Sequence, residues 1–150
     1  MAAILVVHHS PTEHTRALAD AVIEGASHPD IEGVELTVRG ALEATAGDVL
    51  AADGYLIGTT ANLGYISGAL KHFFDTVYDD ALEVTRGRPF GTWIHGATDT
   101  TGARSALERI ITGLRWRSVA EPLELIGTSD DELDRCFELG ATTAAVLGEL

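Results

Sequence analysis

Two short runs in this chain are apolar without alternation, Ala3 to Val7 and Tyr55-Leu56-Ile57-Gly58-Thr59, and a third, Phe90 to His95, is rich in bulky residues. A strand with one face in water alternates apolar with polar residues, so a run that does not alternate reads as a strand buried on both faces. Such strands need a sheet with a layer packed on each side. Between the runs the apolar period turns helical. Ala17, Leu18, Ala21, Val22 and Gly25 fall on one helix face, as do Leu70, Phe73, Phe74 and Val77, and again Leu107, Ile110, Ile111 and Leu114. Val34 to Val38 alternates and suits a strand nearer the sheet edge. Ala46 to Ala52 is a short helix and Pro122 to Ile126 the last strand.

Capping residues sharpen two helix starts. Ser67 stands before the third helix as its N-cap. Ser129 and Glu132 form an S-x-x-E capping box at the start of the final helix. The inner face of that helix reads Leu133, Cys136, Phe137, Gly140, Ala144 and Leu147. The order βαβαβαβαβα predicts a three-layer α/β sandwich with a five-stranded parallel sheet. With 150 residues and no repeat, low-complexity tract or linker, the chain reads as a single domain, 1-150.

The net charge of −13, from 23 acidic and 10 basic residues, repels phosphate backbones and argues against a nucleic-acid partner. It suits plain solubility first, and is compatible with docking on a basic redox protein. The single cysteine, Cys136, excludes an internal disulfide and reads as a buried structural residue. The first residues form no basic leader with a long apolar stretch, and no run is long enough for a membrane span, so the expectation is a cytoplasmic protein without membrane contact. No pair of histidines has helical i, i+4 spacing, and no metal is expected.

In parallel α/β sheets, ligands sit outside the carboxyl ends of the strands at the topological switch point. Three loops fall there. Ser10-Pro11-Thr12-Glu13-His14-Thr15 precedes a helix N-terminus, where free N–H groups and the helix dipole favour an anion. Its hydroxyls suit a phosphate monoester, and the loop lacks the glycine fingerprint of dinucleotide folds and the lysine of a Walker A loop. An ordinary helix cap would use the same residues. Thr59 to Gly68 is small, polar and flexible. Within it, Asn62 offers a donor and an acceptor to the edge of a planar heterocycle, and Leu63 and Tyr65 offer surfaces for its face. His95-Gly96-Ala97-Thr98-Asp99-Thr100-Thr101-Gly102 is short-chained enough to close over a ring. Plain connections explain the second and third loops taken singly. Their convergence on one end of the sheet is what singles them out.

Ile4-Leu5-Val6-Val7 followed by Ser10-x-Thr12-x-x-Thr15 resembles the phosphate loop of flavodoxins. Asp53-Gly54-Tyr55-Leu56-Ile57-Gly58-Thr59 followed by Gly64-x-x-Ser67-Gly68-x-Leu70-Lys71-x-Phe73-x-Asp75 resembles the flavodoxin-like NAD(P)H-dependent FMN and quinone reductases. His95-Gly96 with Asp99 and Gly102 resembles their third flavin loop. The resemblance implies strand order 2-1-3-4-5 and bound FMN. Ser10, Thr12, His14 and Thr15, with Glu13 in the same loop, would surround the phosphate. Thr60, Ala61, Asn62, Leu63, Gly64 and Tyr65 would lie along the ring. His95, Gly96, Ala97, Thr98 and Asp99 would close the other side. It further implies NAD(P)H as electron donor, a small-molecule acceptor or a redox protein as partner, and a homodimer completing the site.

Three positions depart from the family pattern. Glu13 stands where glycine is usual, and a carboxylate beside a phosphate is unfavourable unless it points to solvent. Thr60 stands where proline is common. The two aromatic rings that flank the flavin in electron-carrier flavodoxins have no clear match, which favours a reductase-like open site. No side chain is assigned a catalytic role, since flavin itself supplies the redox chemistry. The expected function is an FMN-binding oxidoreductase; the alternatives are a flavodoxin-type electron carrier and a flavin-free binding module. Among single residues, His14 either offsets phosphate charge or stands exposed, and Lys71 reads as a surface charge. Trp93 reads as core, and Trp116 as a residue packing at a subunit contact.

Overall fold

The computed structural model describes residues 1–149, and these three runs form the middle of one parallel sheet. In chain order the elements are β1 (Ala2–His8), α1 (Glu13–Ala26), β2 (Val34–Gly40), α2 (Ala46–Ala51), β3 (Gly54–Asn62) and β4 (Tyr65–Ile66). There follow α3 (Gly68–Ala81), β5 (Pro89–His95), α4 (Thr101–Leu114), β6 (Arg117–Ser118), β7 (Leu123–Leu125) and α5 (Asp130–Gly148). The main order is β2-β1-β3-β5-β6, with β7 also beside β5. This is the expected 2-1-3-4-5 arrangement, its fifth place shared by β6 and β7. Both pair parallel with β5, β6 at Pro89 and Phe90 and β7 from Trp93 to His95. The remaining strand, β4, runs antiparallel to the end of β3.

Alternate residues of a strand face opposite sides, and β1 supplies both cores. Leu5 and Val7 join Tyr55 and Ile57 under α2, α3 and α4, where Phe73, Val77, Leu107 and Leu114 are buried. Ile4 and Val6 join Leu56 and Trp93 under α1 and α5, with Leu18, Val22, Cys136 and Leu147. The inner face of α5 is carried by Cys136, Leu139, Gly140, Thr143, Ala144 and Leu147. Phe137, expected there, is only half-buried. Its carbonyl packs on Gly25 of α1, and its ring stands edge-on to His28 at 5.9 Å.

Trp93 is core as expected, 2% exposed. Trp116 is core too, against the expectation of a subunit contact. It is 7% exposed, its ring stacks on Tyr55 at 4.0 Å and 15°, and its indole N–H donates to Thr85 Oγ1 at 2.8 Å. Lying just past α4, it folds back under that helix rather than outward. Tyr55 in turn donates to the Val49 carbonyl at 2.6 Å and accepts from Arg88 at 3.2 Å. Burial pushes the Tyr55 phenol above its ordinary range. No helix among the described residues is long and apolar enough to cross a membrane.

The α1–α5 contact is made backbone to backbone. A Cβ on Gly140 would overlap the Val22 carbonyl oxygen, and a Cβ on Gly25 would overlap the Phe137 carbonyl oxygen. Both overlaps are with main chain, which cannot rotate away. Gly140→Ala is therefore expected to destabilise the chain by about 1–3 kcal/mol, even though alanine is the better helix former. Urea unfolding checks this as a lower midpoint at unchanged slope; an unchanged midpoint would mean that the helices can part freely.

Candidate functional site

Because β1, β3, β5 and β7 run parallel, the loops after them gather at one end of the sheet. The first loop is organised by its own hydroxyls. Thr12 caps α1: its Oγ1 accepts from the Thr15 amide at 3.2 Å, while Thr15 Oγ1 accepts from the Thr12 amide at 2.9 Å. The two hydroxyls also meet at 2.9 Å, and Thr15 is buried. Ser10 Oγ stands 2.7 Å from His8 Nδ1. Burial lowers the His8 pKa from its ordinary value, with the Asp20 carboxylate opposing that shift and His9 adding to it. That direction favours the neutral ring, in which one nitrogen accepts and the other donates. The expected phosphate ligands Ser10, Thr12 and Thr15 are together, but each hydroxyl already has a partner. The amides of Ser10, Glu13 and His14 have none among the described residues. Glu13 is exposed in the first turn of α1.

His14 brings in a residue that sequence reasoning missed. Its Nδ1 lies 3.3 Å from Thr128 Oγ1, in the loop after β7. The available signal was topological, since that loop follows a parallel strand and must share this end of the sheet. The loop is pinned by Glu132, whose carboxylate accepts from the amides of Ile126 (3.0 Å), Gly127 (2.9 Å) and Ser129 (3.3 Å). These bonds, led by Gly127, hold the Glu132 pKa down to about 2.

The second loop is a hairpin rather than a flexible connection. Asn62 pairs with Tyr65 across a two-residue turn in which Leu63 (φ 52°) and Gly64 (φ 77°) are both left-handed. That is the backbone of a type I′ turn, whose twist matches the flanking strands. Glycine adopts it freely; leucine does not. Leu63 nonetheless holds the turn and is fully exposed at 106%, with Tyr65 beside it partly exposed. The hairpin leans on the start of α4: a Cβ on Gly102 would overlap the Gly64 carbonyl oxygen. Within β3, Thr59 Oγ1 accepts from the Ser67 amide at 3.0 Å. Next to it, the hydroxyl of Thr60, a residue 9% exposed, is buried without any hydrogen-bond partner. Ala61 is half-buried where β3 leaves the sheet.

His95 is in register with Thr60 on one side and Leu125 on the other, which brings the third loop against the second. Gly96 donates to the Leu125 carbonyl at 2.9 Å. Ala97, Thr98 and Asp99 are exposed. Asp99 accepts from the Thr101 amide at 3.0 Å and hydroxyl at 2.7 Å, which lowers its pKa. Behind the loop, Thr100 donates to Glu124 at 2.8 Å, and this bond leads the lowering of the Glu124 pKa. The clefts of about 450 Å³ beside Met1 and Leu147 and of about 300 Å³ beside Phe90 and Trp116 lie away from these loops. Among the described residues no group of three or more His, Cys, Asp or Glu is placed to hold a metal ion.

A left-handed leucine carries about 1 kcal/mol of backbone strain, whereas asparagine tolerates that region. Leu63→Asn is expected to raise stability by about 0.5–1 kcal/mol, seen as a higher urea midpoint. A lowered midpoint would show that the exposed leucine side chain, not the turn, holds the hairpin.

No family model matches the chain. Over 80 residues it is 40% identical to a flavodoxin of Aquifex aeolicus, a match covering 53% of this chain and 42% of that relative's length. Among solved structures, an archaeal flavodoxin superposes with a TM-score of 0.81 at 16% identity, covering 97% of this chain and 98% of the other. A WrbA-like flavodoxin of Agrobacterium tumefaciens gives 0.80 at 21% identity, covering 99% of each. The Flv1 flavodiiron core of Synechocystis sp. PCC6803 gives 0.82 at 17% identity, covering 99% of this chain and 36% of the other. The chain spans less than half the length of the curated relative it matches; strand order and full-length superposition agree that it has the flavodoxin fold.

Proposed function

We propose that the chain binds FMN across the three loops and works as an oxidoreductase, taking electrons from NAD(P)H and passing them to a small acceptor. The observation that carries the binding reading is the pairing, at one end of the sheet, of an anion-ready helix start with an orphaned buried hydroxyl. The unpartnered amides of Ser10, Glu13 and His14 suit a phosphate. The Thr60 hydroxyl, buried and unbonded beside His95, lacks a partner that a polar ring edge would supply. The residues present therefore fit the group.

In this reading the hydroxyls of Thr12 and Thr15, with the free amides beside them, would hold the phosphate in a loop that the same two residues already shape. Asn62, Leu63, Gly64 and Tyr65 present the hairpin turn to the ring. His95, Gly96, Ala97, Thr98 and Asp99 border it from the side of β5. FMN, when bound, supplies the hydride and electron transfer, and the protein's task is to orient it and exclude competing contacts. Two features favour turnover of a small substrate: Ala97 and Thr98 stand exposed in the third loop, and Leu63 projects freely. The likeness to a flavodoxin favours a second reading, an electron carrier docking on a basic redox protein through its acidic surface.

Flavin titration tests the binding reading. FMN is expected to bind more tightly than FAD, because the first loop offers no basic pair for a second phosphate. Thr60→Val is expected to leave the flavin-free protein at least as stable, since it deletes an unsatisfied group, and to weaken FMN by about tenfold. If Thr60→Val leaves FMN affinity intact, the ring does not reach that hydroxyl.

Glu13 is the residue that opposes the phosphate. Its charge favours the empty helix terminus and competes with an incoming anion. Glu13→Gln is expected to tighten FMN by roughly threefold to thirtyfold at low salt, with the gain shrinking as salt rises. An unchanged dissociation constant would mean that Glu13 points away from the phosphate. Steady-state NAD(P)H oxidation by the FMN-loaded protein then separates the two functions, since a carrier shows no turnover with a quinone or free flavin.

A further inference from the structure

The fifth place in the sheet is filled by a strand broken in the middle. From Phe90 to Trp93, β5 advances three residues while its neighbour advances five, from Ser118 to Leu123. The extra chain bows outward, Gly91 and Thr92 have no register partner on that side, and a cleft of about 300 Å³ opens between the gap and α4. That is the scale of a small-molecule site. It is separate from the three loops, so its argument does not rest on flavin binding.

The walls are apolar and aromatic: Phe90, Leu107, Ile111, Trp116 and Pro122. The indole of Trp116 is locked by stacking on Tyr55 and by its N–H bond to Thr85, so this wall exists before any ligand arrives. Phe90 lies tilted to it at 6.1 Å. The charged residues of the lining are both carboxylates, Glu108 and Glu121, and no lysine or arginine contributes. Arg104 bonds each of them, at 2.9 and 2.7 Å, but it also bonds Glu124 at 2.9 Å. One guanidinium thus serves three carboxylates, and the mouth keeps net negative charge. An aromatic wall under an acidic mouth is the chemistry that recognises an organic cation.

We propose that this cleft binds small aromatic ammonium compounds, with the ring against Phe90, Ile111 and Trp116 and the ammonium at Glu108 and Glu121. An aromatic acid is repelled at the same mouth, and a neutral ring keeps the apolar contact alone.

The probes are phenethylamine, phenethyl alcohol and phenylacetate, titrated at low salt into the full chain and followed by methyl NMR of Ile111 and Leu107 with calorimetry. The amine is expected to bind at least about fivefold more tightly than the alcohol, and phenylacetate to bind least. Replacing both Glu108 and Glu121 with Gln should erase the difference between amine and alcohol. Ile111→Trp should fill the cleft and abolish binding of both; if it fails to fold, Thr112→Trp at the rim serves instead. FMN affinity should be unchanged by the amine, so failure of the flavin reading leaves this result intact. Equal affinity for amine and alcohol overturns the proposal, as do methyl shifts outside the cleft or no binding at millimolar concentration. A concentration-dependent dimer abolished by the filling variant would instead assign the cleft to a second copy of the chain.

Discussion

The backbone contact between α1 and α5 governs the working end of the molecule. Because Gly25 and Gly140 carry no Cβ, the two helices touch main chain to main chain on one face of the sheet. Their N-termini are thereby brought side by side, and the loops that start them share an edge. His14 of α1 reaches Thr128 before α5. Glu132, one turn into α5, gathers three loop amides and so fixes the chain from Ile126 to Ser129. A larger residue at either glycine would splay the helices and part these two loops, although neither loop contains the substitution.

At the site itself, satisfaction of polar groups is the organising rule, and one exception stands out. Thr12 answers Thr15, Ser10 answers His8, and Asp99 answers Thr101. Buried hydroxyls in native proteins are nearly always partnered in this way. Thr60 breaks the rule near the end of β3, the central strand of the sheet, where it pairs with His95 of β5. Leu63 breaks a second rule, holding a left-handed backbone with its side chain in water. Departures of this kind are expected where function overrides local preference, and here both fall within four residues.

The far side of the sheet follows a different logic. Its last place is split into β6 and β7, and the bowed chain between them keeps a long edge from forming. Arg104 ties that region together through Glu108, Glu121 and Glu124, and Thr100 joins Glu124 to the third loop. The cleft under Trp116 and the third loop therefore share a polar framework while presenting different chemistry to solvent.

Periodicity and capping are local properties, and what they encode was legible in the chain. The three strand-like runs became β1, β3 and β5, Ser67 and Ser129 became helix caps, and the three loops converged as parallel strands require. The sequence therefore determined the layers, the direction of the strands and the neighbourhood of the site. Tertiary structure alone decided which side chains had already been used. Thr12 and Thr15 read as free donors until their mutual bonds are seen, and Trp116 read as surface until its stacking on Tyr55 is seen. The hairpin at Leu63 and the break in the fifth strand depend on pairing across the sheet, where a partner distant in sequence sets the register. Local pattern reports which face of an element is apolar, but partner identity is set only when the faces meet.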